Sequence, residues 1–426
     1  MQEKQHTEYF TQLYRELLAL SVYRGVGNQP VTGALLELLG RAAHGDADGL
    51  YDRWGHLCAL LAENDALDSL PAAVAAEVLE DENAYTSALA AGRRPSAALE
   101  SAALRDLGAL YRAAFFDRDG LRGEAAGILP RWGTAAAPTP LDCPWQECGP
   151  ALAAYHRRRG CGCFTRHYAF LWREGQMLPV EHPDPIRLSN LKGYAYQRGI
   201  AVDNTRAFLD GFEANNMLLY GDRGTGKSST VKALLNEYAG NGLRMIEMPK
   251  EFLRQLPDLT GRLAKLPLKF IVFIDDLSFS DGDDNFAALK AVLEGGLASR
   301  PDNVVIYATS NRRHLLRETF SDRSGDEVHH ADTVQEAVSL SDRFGISLTF
   351  LMPDKQRFRD IVEQIAADKG LIAGPGPATD HGPVIDRQAL LAAAERWALE
   401  RGARSPRYAR QFIADAQARL SRGETL

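Results

Sequence analysis

Residues 221–228 read Gly221-Asp222-Arg223-Gly224-Thr225-Gly226-Lys227-Ser228, and the stretch fits the phosphate-binding pattern G-x-x-x-x-G-K-[ST]. Before it, Asn216-Met-Leu-Leu-Tyr220 is a short apolar run suited to a buried strand. After it, Val231, Leu234 and Leu235 fall at helical spacing within 229–238. Strand, glycine loop and helix in that order form the context that gives the motif its meaning. Glycines 221, 224 and 226 let the backbone take left-handed angles and come close to a phosphate chain. The loop amides and the helix N-terminus then present partial positive charge to it. Residues 221–229, Ser229 included, are therefore read as the binding loop for ATP. Lys227 is placed for the β- and γ-phosphates, and the Ser228 hydroxyl for Mg²⁺.

A second carrier of the same chemistry lies downstream. Phe270-Ile-Val-Phe-Ile274 is an apolar strand that ends in Asp275-Asp276. A buried strand delivers the first carboxylate, Asp275, toward the metal and the second, Asp276, toward an attacking water. Asp276 is one methylene shorter than the glutamate often found there, so the water must sit closer or be relayed. Val304-Val-Ile-Tyr-Ala-Thr309 is another strand, and it leads into Ser310-Asn311. The Asn311 amide suits a γ-phosphate contact. Arg343, in Ser341-Asp-Arg-Phe-Gly345, and Arg407, in Arg404-Ser-Pro-Arg407-Tyr-Ala-Arg410, are candidate cations for a transferring phosphoryl group. Arg410 lies one turn beyond Arg407 and competes with it.

The rest of the chain bounds this reading. With 426 residues, two or three domains are expected. The apolar fraction of 45% and charged fraction of 25% are those of an ordinary globular protein. A net charge of −7 argues against a broad, non-specific nucleic-acid surface, though not against a local basic patch. No apolar h-region follows Met1 and no run of about 18 apolar residues occurs, so neither a secretory signal nor a membrane span is expected. Five cysteines, an odd number, point to a reducing compartment, read as the cytoplasm. Segments 8–20, 31–43 and 71–79 read as amphipathic helices. Cys143, Cys148, Cys161 and Cys163, with His156 and His167 nearby, have spacing too irregular for a standard zinc knuckle and are expected to bind no metal. Arg157-Arg-Arg159 reads as a solvated charge run, with nucleic acid or acidic protein as the alternative.

From 186 onward strand-like and helical runs alternate, which argues a parallel α/β sheet. The order of parts there — phosphate loop, acid-tipped strand, strand with terminal Asn, arginine, helical segment with a further arginine — resembles that of the AAA+ ATPases. Asp203-Asn-Thr205, Ala214-Asn-Asn-Met217, Ile274-Asp-Asp-Leu-Ser-Phe279, Ala308-Thr-Ser-Asn-Arg-Arg-His314 and Leu340-Ser-Asp-Arg-Phe-Gly345 resemble more closely a family of uncharacterised bacterial AAA+ proteins, classed as a domain of unknown function. The resemblance is dense over 186–352. It implies an α/β P-loop NTPase core with a C-terminal helical lid, preceded by a mostly helical N-terminal domain. The expected division is 1–134 helical, 135–185 linker and Cys-rich connection, 186–352 nucleotide-binding core and 353–426 lid. By the same resemblance Asn311 is the first sensor, Arg343 a finger acting on a neighbouring subunit of a homo-oligomer, Arg407 the second sensor, and residues 191–196 the loop that cups adenine. The implied activity is ATP hydrolysis that remodels or loads a protein or nucleic-acid partner. The alternatives are a slow-hydrolysing regulatory switch and, further off, a P-loop phosphotransferase acting on a small molecule.

Overall fold

The computed structural model describes residues 2–117, 140–279, 284–294, 301–311, 343–372 and 385–426. Residues 135–139 of the linker expected at 135–140, the Gly- and Pro-rich residues 374–383, and the segments 312–314 and 340–342 lie outside the described residues. The chain divides into two compact units, residues 1–167 with 266–268, and 168–265 with 269–426.

The first unit is helical. It contains α1 (Gln2–Leu18), α2 (Pro30–His44), α3 (Ala47–Glu63), α4 (Leu70–Glu80), α5 (Ala84–Ala90), α6 (Ala97–Ala114) and α7 (Gly149–Arg159). Asp46, Ser69, Asn83 and Ser96 cap four of these helices by accepting backbone N–H bonds. Leu35, Leu38, Trp54, Leu57, Val74 and Leu107 meet in one apolar core. One polar device holds it. The buried Asp106 carboxylate accepts from the consecutive amides of Ser21, Val22 and Tyr23 at 2.8, 2.7 and 3.2 Å. Each such donor left unpaired would cost about 1–3 kcal/mol. The sequence reading named α1, α2 and α4 among these helices.

The second unit holds a seven-stranded sheet in the order β2-β1-β4-β5-β6-β3-β7. Its strands are β1 (Ala169–Arg173), β2 (Gln176–Pro179), β3 (Met217–Gly221), β4 (Leu243–Glu247), β5 (Lys269–Ile274), β6 (Val304–Ser310) and β7 (Ile346–Phe350). Only the β1–β2 pair is antiparallel. The sheet thus takes in residues 169–179, which the sequence reading had placed in the Cys-rich connection. Helices α8 (Ala195–Leu209), α9 (Lys227–Tyr238), α10 (Leu256–Leu263) and α11 (Asp284–Glu294) accompany it. Residues 270–274 are fully buried, as an internal parallel strand requires. The terminal segment folds as α12 (Lys355–Asp368), α13 (Arg387–Glu400) and α14 (Pro406–Ser421) around Phe358, Val362, Leu390 and Phe412. α13 and α14 are separated at 401–405, where Gly402 takes φ 72° and Pro406 starts α14. The α/β P-loop class, with helical lid and helical N-terminal part, is what the structure shows. No helix among the described residues is long and apolar enough to cross a membrane.

Candidate functional site

Parallel pairing sets the site. β5, β6 and β3 are neighbours, with Ile274 beside Ala308 and Tyr220 beside Ser310. Their C-terminal ends therefore open on one edge of the sheet, where α/β proteins bind ligands. The glycine loop leaves β3 there, Asp275-Asp276 leave β5, and Asn311 leaves β6. Together with α14 they line a cleft of about 550 Å³ containing Arg223, Gly224, Gly226, Lys227, Ser228, Ser229, Asp275, Asp276, Thr309, Asn311, Arg407, Arg410 and Gln411.

Gly221, Asp222 and Thr225 do not line this cleft; they brace the loop. Gly221 has φ 128°, and a Cβ on it would meet the Phe350 carbonyl oxygen at 2.3 Å, so only glycine fits. The Asp222 amide donates to Phe350 O at 2.9 Å, and the Asp222 carboxylate accepts from Met352 N–H. Thr225 Oγ1 donates to Asp222 O at 2.8 Å. Gly224 has φ 77° and accepts the Arg407 amide at 3.2 Å, which ties the lid to the loop.

Lys227 is only 6% exposed. Its ammonium donates to Gly221 O, Asp222 O and Asn311 Oδ1 at 2.8, 2.7 and 3.0 Å. Burial pulls its pKa down to about 8 against the opposing pull of Asp222, Asp276 and Asp275. Asn311 Nδ2 donates to Asp276 Oδ1 at 2.6 Å, so this one amide bridges the loop lysine and the second carboxylate. Ser228 Oγ donates to Asp275 Oδ1 at 2.6 Å. Asp276 stands at φ 51°, a left-handed conformation that Asp tolerates better than most residues and one that turns its side chain off the strand line.

Thr309, absent from the sequence reading, organises this turn. It is 2% exposed, its hydroxyl donates to Asp275 Oδ1, and it accepts the Asp276 amide at 3.0 Å. It shares a face of β6 with Asn311 through the period of two, a signal that was available in the sequence. Behind it, buried Tyr307 OH accepts from Asn204 Nδ2 at 3.0 Å and pairs with Thr205 Oγ1 at 2.9 Å, joining α8 to the same strand.

Both lid arginines reach the cleft, so the structure does not separate Arg407 from Arg410. Arg410 Nε is buried without a hydrogen-bond partner among the described residues. Arg343 is not brought to the cleft. β7 runs parallel to β3, with Met217 beside Ile346 and Gly221 beside Phe350. Arg343 precedes β7, whose first residue, Ile346, stands about 13 Å from the Phe350 end beside Gly221, four residue steps at ~3.3 Å each.

A second cavity, of about 470 Å³, is lined by residues 193–197, Leu351, Pro353 and lid residues Arg357, Asp360, Ile361 and Gln364. It includes most of the stretch likened above to an adenine-cupping loop. Arg198 fixes that loop by donating to the Leu188 and Leu191 carbonyls. Tyr196, 78% exposed, and Leu351 offer apolar surface there.

The cysteines gather less than their spacing allowed. Cys143 and Cys148 place their sulfurs 2.6 Å apart, while Cys161 lies 3.9 Å from Ser87 Oγ. Among the described residues no three His, Cys, Asp or Glu side chains are arranged to hold a metal ion.

The family described as "Protein of unknown function (DUF815)" matches residues 165–420, well over half of the chain. Among solved structures, the chain is similar to the Thermotoga maritima RuvB Holliday junction branch migration motor. The identity is 15%, over 56% of this chain and 66% of that one, with a TM-score of 0.37. A singly substituted form of RuvB from the same organism matches at 14% identity, over 56% and 67%, with a TM-score of 0.36. The chain thus spans about two thirds of the length of that motor.

Proposed function

The chain belongs to the DUF815 family, and from that premise and the geometry of the cleft we propose that it is a Mg²⁺-dependent ATP hydrolase of the AAA+ type acting on a macromolecular partner. One observation carries the proposal. Lys227, Ser228, Asp275, Asp276, Asn311 and two lid arginines, drawn from four separate elements, converge on one cleft over a glycine loop.

The residues suit the ligand. The unpartnered Arg410 Nε needs an acceptor such as a phosphate oxygen, and the loop amides at the start of α9 supply donors. Ser228 and Asp275 make a hard-oxygen pair, the donor type that Mg²⁺ takes. Mg²⁺, when held there, neutralises charge on the β- and γ-phosphates. Lys227 exchanges its carbonyl partners for phosphate, which frees Asn311 to contact the γ-phosphate and releases Asp276 to align and deprotonate water. Arg407 and Arg410 close on the triphosphate from the lid. The 193–197 cavity takes the base, with Tyr196 and Leu351 as its apolar surface. Arg343, too distant from its own cleft, serves that of a neighbouring copy.

Replacing Lys227 by alanine tests the site. Titration calorimetry should show no measurable ATP binding, with the thermal transition of the free protein retained, because the ammonium meets loop carbonyls rather than the core. Wild-type affinity in that variant would remove the assignment.

The lowered pKa of Lys227 gives a pH dependence. The free protein holds this group half-protonated near pH 8. Phosphate oxygens favour the ammonium, so the pKa is higher in the complex and binding takes up a proton above pH 8. Affinity is therefore fully present below pH 8 and declines above it, by at most about tenfold per pH unit. Calorimetry at pH 7, 8 and 9 in buffers of differing ionisation enthalpy measures both the decline and the proton uptake. An affinity flat across this range would show that Lys227 does not change its protonation on binding.

A further inference from the structure

The nucleotide cleft uses none of the cysteines, and two of them meet where α7 begins. Cys143 and Cys148 flank the sequence Pro144-Trp145-Gln146-Glu147. Residues 145–147 wind into one 3₁₀ turn, which packs against α6. Trp145 anchors this turn. It is fully buried, its ring centroid lies 5.9 Å from that of Tyr111, and its Nε1 donates to Leu141 O at 3.2 Å. The Cys148 amide donates to Trp145 O at 3.2 Å. With the backbone folded back in this way, the Cys143 and Cys148 sulfurs stand 2.6 Å apart.

The two thiols differ in access. Cys143 is exposed, whereas Cys148 is only 2% exposed. Burial, and after it the hydrogen-bonding Cys143 thiol, pushes the Cys148 thiol well above its ordinary pKa. The exposed sulfur can meet a reagent in solution, and the buried one can meet only its neighbour. Core packing explains Cys148, because a buried thiol behaves as a small apolar group. It does not explain a second sulfur held against Cys148 from the solvent side.

We infer that Cys143 and Cys148 form a reversible disulfide site oxidised by a low-molecular-weight disulfide, with Cys143 as the attacking sulfur and Cys148 as the resolving one. The Cys143 thiolate attacks one sulfur of the small disulfide. That S–S bond breaks, and one small thiolate leaves. Cys148 then gives up its proton and attacks the Cys143 sulfur of the mixed disulfide, releasing the second small thiolate. The two released thiolates take up the two protons that the cysteines lost. Two electrons pass from the protein sulfurs to the small disulfide, and no other reagent is consumed. The second step joins groups already in contact, so proximity offsets the low thiolate fraction of Cys148. Its product closes a ring around Trp145 and ties residue 143 to the start of α7. Such a dithiol suits a redox sensor, because an exposed sulfur keeps both the bond and its reductant within reach. No residue of the nucleotide cleft takes part, so the inference stands apart from the ATP-hydrolase reading.

The test incubates the full chain with glutathione and rising glutathione disulfide, quenches in acid, alkylates the remaining thiols and maps the peptides by mass. The wild-type chain should form the 143–148 disulfide, and dithiothreitol should return both thiols. The Cys148→Ser protein should stop at a glutathione adduct on Cys143, and the Cys143→Ser protein should take no adduct at Cys148. At about 1 mM reduced glutathione, the disulfide should form at a glutathione disulfide concentration at least about tenfold below that which gives the Cys148→Ser adduct. The oxidised chain should unfold at a higher temperature than the reduced one, because the ring restricts the unfolded chain and leaves the native backbone unmoved. A glutathione adduct that persists at Cys143 in the wild-type chain would overturn the inference, and that result depends on neither variant folding. So would a 143–148 disulfide that forms only in denaturant, an adduct on Cys148 in the Cys143→Ser protein, or an oxidised chain that unfolds at no higher temperature.

Discussion

Replacing Arg343 by alanine should leave ATP binding unchanged and slow hydrolysis by on the order of 10³-fold, the scale of trans-acting arginine fingers. The argument is topological. Parallel pairing of β7 with β3 puts Arg343 at the edge of the sheet away from the glycine loop, so a monomer cannot deliver the guanidinium to its own phosphates. If the residue serves catalysis, it does so in a second copy, where an enclosed site excludes water and strengthens its pull on spreading negative charge. Specific activity should then rise with protein concentration. Mixing Arg343→Ala with Lys227→Ala protein should restore part of the activity, because one kind of mixed interface joins an intact loop to an intact finger. Turnover independent of concentration, with no recovery on mixing, would reduce Arg343 to a local packing or ion-pair residue.

The second large effect belongs to Asp276. Asp276→Asn should retain Mg·ATP and lower turnover by about 10²-fold or more. The change is isosteric, and asparagine accepts the φ of 51° as readily as aspartate. Its amide oxygen can still accept from Asn311 Nδ2, so the resting network survives. What is lost is a carboxylate able to take a proton. Asp275 answers to a different test, because Ser228 and Thr309 both donate to one of its oxygens, Oδ1, and hold it in place. Single-turnover measurements separate chemistry from binding. Unchanged turnover would move the base elsewhere and leave Asp276 as a purely positioning carboxylate.

The contrast between these residues shows where sequence reading works. The loop, the acid-tipped β5 and the Asn-tipped β6 were legible because their chemistry is local: glycines at fixed offsets, an apolar run of strand length, and a polar residue at its end. Strands β1 and β2 were not. Residues 169–179 carry Trp172, Arg173 and Glu174 in a polar, aromatic setting, and β1 takes its place in the sheet by pairing with β2 on one side and the edge of β4 on the other. Thr309 was passed over because a threonine in a strand is ordinary by composition. Its importance comes from Asp275 and Asp276 lying next to it in space and 33 or 34 residues away in sequence.

The lid teaches the same lesson. Pro406 and the arginines after it announced a helix start near a candidate sensor. The one-turn ambiguity between Arg407 and Arg410 is dissolved rather than decided, since the start of α14 abuts the loop through the Arg407–Gly224 bond and both side chains enter the cleft. The Arg157–Arg159 run read from sequence as solvated charge. Only the packing of α5 on α7 brings Gly92 close to Arg157.

By itself the sequence determined the P-loop α/β class, the identity of the loop and the two strand-end acids, because each follows from backbone geometry and periodicity within a dozen residues. The tertiary structure alone decided which strand ends stand side by side, that Arg343 enters β7 at the end remote from the cleft, and that Thr309 and Arg410 join the site. Those outcomes depend on strand order, parallel register and helix packing. They are long-range choices that the burial of apolar surface fixes for the whole chain at once, and no local stretch encodes them.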